Sequence, residues 1–248
     1  QGAFALAEEA AARPHCRFPV RWEDGFEAQL PHLAQLRRLC RMAAASAVVA
    51  AREGRAEEAG RLFLLAFRVA EAPREEPCLI SQIVRHACLQ IVAAHLQDIV
   101  TWVTLPPAQA REIDALLRRI DLKPGYLRAL RDERASGVGL FQSLPARGAK
   151  WAAQVLGANG DATRLLPWQV LTSYAWRPVL YADESAYLAR WDAALAVADT
   201  PWRLARGSQW NPDAWMDSLP RHAIVTRMLL PALMGVRRRC DGATAIVA

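Results

Sequence analysis

Residues 30–71 read LPHLAQLRRLCRMAAASAVVAAREGRAEEAGRLFLLAFRVAE, and this stretch decides the fold class. Leu33, Leu36, Cys40, Ala44, Ala47 and Ala51 recur at steps of three and four, so they share one face of a helix from about Leu30 to Glu53. Pro31 suits the first turn of that helix. Gly54 suits the left-handed residue that ends it. A second helix follows from about Arg55 to Glu71, with Ala59, Leu62, Phe63, Ala66, Phe67 and Ala70 facing inward. Pro73 and Pro77 close it. The small Ala59, the aromatic Phe63 and the following Ala66, ending at a proline, match the second helix of a tetratricopeptide unit.

Working outward, a third helix is expected from about Leu79 to Val103. Ile80, Ile83, Val84, Ala87, Cys88, Ile91, Val92, Leu96, Ile99 and Val103 give it a band wide enough for burial on more than one side. A fourth runs from about Pro107 to Ile120, and a fifth from about Tyr126 to Phe141 after the Lys123-Pro124-Gly125 turn. Gly137, Gly139, Pro145, Gly148, Gly157 and Gly160 fall between Ser136 and Asp161, which predicts a linker or mobile loop there. Helices follow at Ala162–Tyr181, at Asp183–Ala198 with Asp183 as its cap, and at Pro220–Arg239. At the other end, Ala5 to Ala12 suits a short helix, and Cys16 to Trp22 an extended strap. No second hairpin recurs at the tetratricopeptide period of about 34 residues. The expected fold is all-α, an irregular antiparallel helical array with one tetratricopeptide-like hairpin. Three segments compose it: an N-terminal strap at 1–26, a helical subdomain with the hairpin at 27–145, and a tryptophan-rich helical subdomain at 146–248 packed on it as one continuous domain.

Composition narrows the function classes. Of 248 residues, 53% are apolar and 23% charged, the balance of a folded globular chain. The net charge is +6, from 31 basic and 25 acidic residues. The arginines read as scattered among glutamates and aspartates, and the one dense run is Arg237, Arg238, Arg239. A nucleic-acid partner, which needs a clustered basic stripe, is not expected. The cysteines Cys16, Cys40, Cys78, Cys88 and Cys240 are irregularly spaced without a CxxC pair, so no metal site is expected. Cys40, Cys78 and Cys88 fit helical cores, and Cys16 and Cys240 are free to pair or react. No run of 18 apolar residues occurs, which argues against a membrane span. The chain begins at Gln1 and ends on apolar Ala243–Ala248, so a segment removed upstream and a helix cut short downstream are expected.

The residues offer little chemistry. His15, His32, His86, His95 and His222 include no pair four apart, and no GxSxG, phosphate loop or dinucleotide fingerprint occurs, so no cofactor is expected. Cys78 opens a helix but has no base within reach, His86 being two turns further on. An enzyme would need a pocket assembled from separate helices, with His86, His95, Asp98 and Glu133 as the candidate set. The C-terminal half holds Trp151, Trp168, Trp176, Trp191, Trp202, Trp210 and Trp215. Trp202, Arg206, Trp210 and Trp215 lie in loop-rich sequence and are the candidate surface for a small apolar or glycan ligand. Apolar Ile224 to Val236, with Pro231 inside and three arginines after it, fits first a core helix that closes the helical domain, and as the alternative a helix lying on a membrane surface.

Several blocks resemble a planctomycete-type family of uncharacterised bacterial helical envelope proteins. They are Cys16-Arg-Phe-Pro with Trp22-Glu23, Leu30-Pro31-His32-Leu33-Ala34-Gln35-Leu36-Arg37, Glu76-Pro77-Cys78-Leu79-Ile80-Ser81-Gln82-Ile83-Val84-Arg85, Asp132-Glu133-Arg134-Ala135, and Leu229-Leu230-Pro231-Ala232-Leu233. The resemblance implies a helical protein of the cell envelope, anchored outside the cytoplasmic membrane by a hydrophobic segment absent here, with a further segment after the last helix; a cytoplasmic location is the alternative. It carries no site residue. The function expected is a non-catalytic interaction or scaffold protein with a protein partner and membrane-surface association. The small-ligand binder and the unrecognised enzyme are the alternatives.

Overall fold

A computed structural model describes residues 2–13, 15–156, 165–196, 198 and 216–229. The described residues are all-α, without strands. They fall into two compact units. The first holds residues 2–20 and 30–129, and the second holds 21–29 and the described residues from 130 onward.

The first unit contains α1 (Ala3–Ala11), α2 (Pro31–Arg52), α3 (Ala56–Glu71), α4 (Leu79–Trp102) and α5 (Pro107–Arg118). Pro31 and Pro107 occupy first turns, as their fixed φ and missing N–H allow. Gly54 adopts φ 75° between α2 and α3, which lets the chain reverse and pack the helices as an antiparallel hairpin. Its core sets small against large. Cys40, Ala43, Ala44, Ala47 and Ala51 bring the α2 backbone close, and Phe63 and Phe67 of α3 fill what remains. Burying a side chain such as Phe63 contributes about 1.5–3 kcal/mol.

α4 corrects the expected facing. Its buried side includes Ser81, Gln82, Arg85 and His86, while Ile80, Val100 and Trp102 are exposed. The turn joining α3 to α4 explains this, because its carbonyls need donors once covered. The Gln82 amide donates to the carbonyls of Pro73 at 3.1 Å and Glu76 at 2.7 Å. Arg85 donates through Nε and Nη2 to the two Glu71 carboxylate oxygens at 2.8 and 2.9 Å. By length and composition α4 could cross a membrane, yet this polar stripe is that of a helix seated in protein.

α6 (Lys123–Leu156) leads into the second unit, which also holds a 3₁₀ turn at Trp22–Glu27, α7 (Leu165–Leu171), a 3₁₀ turn at Tyr174–Trp176, α8 (Arg177–Ala196) and a helical stretch at 224–229. Through Leu156 the expected linker is helix. The break comes at Gly148, with φ 78°, three residues after Pro145. Gly137 lies inside the helix because Tyr187 needs its space, and a Cβ there would overlap the Tyr187 ring and hydroxyl. Tyr187 is fully buried, donates to the Glu133 carbonyl at 2.9 Å and meets Phe141 and Trp191 at ring distances of 5.6 and 6.0 Å.

Asp183 lies within α8 and caps a different helix from the one expected. Its carboxylate accepts from the backbone N–H groups of Val225 at 2.7 Å and Thr226 at 3.2 Å. Burial pushes its pKa up, against the pull of those hydrogen bonds. α8 itself starts earlier, with Pro178 in its first turn. The Pro220–Arg239 helix is described only at 224–229, so most of the proposed membrane-surface segment lies outside the described residues.

Candidate functional site

In the first unit the strap, the start of α2 and the α3–α4 turn meet. Phe18 stacks on His32, ring centroids 4.2 Å apart and planes 14° from parallel. Beneath it His32 Nε2 stands 2.8 Å from Glu76 Oε1, both residues buried. The two atoms are close but poorly aligned, and neither has a hydrogen-bond partner among the described residues. The segments around Phe18, His32 and Glu76, far apart in the chain, come together here. Cys16 lies near enough for Glu76 to act on it. Burial and that negative charge together push its thiol pKa up, opposite to what a nucleophilic cysteine needs. The arrangement fastens the strap.

Beside it lies a pocket of about 430 Å³ bounded by α1, the strap, α2, α3 and α5. Leu36, Leu39, Phe67 and Leu116 line it, and Arg13, Arg74 and Arg119 are among its polar residues. In the second unit a cleft of about 320 Å³ separates the Trp22–Glu27 turn from α6. Its edge is clamped by Glu27, which accepts from Trp151 Nε1 at 2.9 Å and from Arg147 at 2.5 Å. The Trp151 hydrogen bond first, and then Arg147, hold the Glu27 carboxyl below its ordinary pKa. Asp132 lines the same cleft, its pKa raised by burial.

The third feature is the outer face of α2. That helix carries Arg37, Arg38, Arg41 and Arg52 and no acidic residue. Arg37, Arg38 and Arg41 are exposed, and none has an acidic partner among the described residues. Met42 and Val49 are exposed beside them, and the Arg52 guanidinium stands 5.6 Å over the exposed Trp102 ring. The arginines are thus not uniformly matched by acids. Counting acids helix by helix would have shown this in the sequence.

The other anticipated residues fall as follows. Trp202, Arg206, Trp210 and Trp215 lie outside the described residues, as does Cys240. Trp191 is buried, and Trp151, Trp168 and Trp176 are half-buried. His86, His95 and Asp98 are on α4 of the first unit, whereas Glu133 belongs to the second. His95 Nδ1 is 2.7 Å from the carbonyl of Ile91 on its own helix. Cys78 is the N-cap residue of α4 and half-buried. Cys40 and Cys88 are buried free thiols, with Cys40 Sγ 3.7 Å from the Cys88 carbonyl. Among the described residues no group of three His, Cys, Asp or Glu is placed to hold a metal ion. Compared with known proteins, the chain matches no family model, no curated protein and no solved structure.

Proposed function

We propose that this protein is a non-catalytic helical scaffold whose first unit docks an acidic, partly apolar segment of a partner protein on the outer face of α2. The observation that carries the proposal is the exposed set Arg37, Arg38, Arg41, Met42 and Val49 on a helix without acids, with Trp102 at its end. Exposed arginines with no counter-charge steer an acidic partner, and large apolar side chains beside them supply the contact area. A tetratricopeptide-like role for the α2–α3 hairpin and a setting in the cell envelope belong to the same proposal. The latter rests on the family likeness.

A photo-crosslinking residue at Met42 or Val49 should capture a discrete protein species from envelope extracts. Arg38→Glu with Arg41→Glu should abolish capture, and the same crosslinker at Glu57, exposed on α3, should capture nothing. Equal capture from position 57, or equally tight binding to unrelated polyanions such as duplex DNA, would refute the proposal.

A further inference from the structure

The pocket in the first unit has the anatomy of a small-molecule site, and its lining defines the ligand. One side is apolar: Ala7 and Ala11 of α1, Leu36 and Leu39 of α2, Phe67 of α3 and Leu116 of α5. A pocket of about 430 Å³ falls within the range of about 300–1,000 Å³ typical of ligand sites. Charge is distributed unevenly around the remaining wall. Four arginines line it, Arg13, Arg68, Arg74 and Arg119, against the carboxylates of Glu71 and Glu75, an excess of two positive charges.

The existing pairings decide which charges are available. Glu71 is held by Arg85. Glu75 is flanked by Arg74 and Arg128, each at 3.4 Å. Arg68 is bound to Glu112 at 2.7 Å, and Arg13 lies 4.0 Å from Glu9. Arg119 has no acidic partner among the described residues. Both carboxylates are thus neutralised by neighbours, and one guanidinium is left at the mouth of an apolar cavity.

We propose that this pocket binds a small amphipathic anion, an aliphatic or aryl chain bearing a carboxylate, with the chain against Leu36, Leu39, Phe67 and Leu116 and the head group on Arg119. An apolar body fixed by one precisely placed charge is the usual division of labour in such sites. The carboxylate gains a charge-assisted hydrogen bond that the corresponding alcohol cannot make. The site is separate from the outer face of α2.

The test uses the whole protein and the fluorescent probe 1-anilinonaphthalene-8-sulfonate, which combines an aromatic body with an anionic head. Dodecanoate, kept below its micelle concentration, should displace the probe at micromolar levels, and dodecanol at least tenfold less well. Arg119→Glu, an exposed substitution that spares the core, should weaken dodecanoate at least tenfold and leave dodecanol unchanged. Ala11→Phe, which fills the pocket from the α1 side, should remove both. The proposal is overturned if dodecanoate does not displace the probe, if acid and alcohol bind alike in both proteins, or if Ala11→Phe changes nothing.

Discussion

Gly137 and Gly139 sit two residues apart in α6, and the structure gives them opposite expected responses to the same substitution. On propensity alone, replacing either glycine by alanine in a helix interior should stabilise it by about 1 kcal/mol. At Gly139 nothing lies within 4 Å of an added Cβ, so Gly139→Ala should realise most of that gain. At Gly137 the new Cβ would overlap the Tyr187 ring and hydroxyl, and Tyr187 is fully buried. Overpacking of this kind costs about 1–3 kcal/mol. Displacing the hydroxyl from the Glu133 carbonyl leaves buried polar atoms unpaired, at about 1–3 kcal/mol more. Set against the propensity gain, Gly137→Ala should destabilise by about 1–5 kcal/mol. Urea unfolding followed by far-ultraviolet circular dichroism reads both variants against the parent. If Gly137→Ala is as stable as the parent, or more so, the close approach of Tyr187 is wrong, and with it the account of why a glycine-rich stretch is helical.

Two further outcomes follow from the titrating groups. Burial, reinforced by the neighbouring Arg85 guanidinium, depresses the pKa of His86. A depressed histidine favours the neutral ring in the folded state, so its contribution is full above the ordinary histidine pKa and is lost as pH falls from there through the folded value. Urea midpoints should therefore drop as pH is lowered from about 6.5, and His86→Leu should flatten that slope. Cys16 is exposed but its pKa is raised, by burial first and by Glu76 second. It should react slowly with Ellman's reagent near neutrality and faster as pH rises. Glu76→Gln should accelerate the reaction at neutral pH, while Cys40 and Cys88 stay silent until the protein is unfolded.

The helices from α2 to α5 are legible in the sequence to within a residue or two, because proline or glycine marks their ends and the apolar residues recur at helical spacing between them. The Ser136–Leu156 stretch is not, because glycine breaks helices by default and its alternative use depends on a tyrosine fifty residues away. Asp183 is a good cap wherever it stands, but which helix it caps depends on where 224–229 comes to rest. The pocket draws its walls from α1, the strap, α2, α3 and α5, and no local pattern announces such an assembly. The α2 face differs from these. Four arginines and no acid within one helix are visible at once when the helix is read alone.

α4 shows how stability and recognition can be separated within one unit. Hydropathy orders its residues for burial as Ile80, Val100 and Trp102 before Gln82 and Arg85, and the structure inverts that order. The inversion is tolerable because each inward polar group has a matched task. Without Gln82 and Arg85, the covered turn carbonyls and the half-buried Glu71 would lose their donors, at about 1–3 kcal/mol for each buried group left unsatisfied and more for a charged one. Leaving an apolar side chain in water forgoes only its transfer gain, about 1.5–3 kcal/mol, and a partner can recover that gain on docking. The polar interior of α4 therefore fixes the fold of the first unit. The apolar side chains at its end and along α2 stay out of that task, which leaves them available for binding.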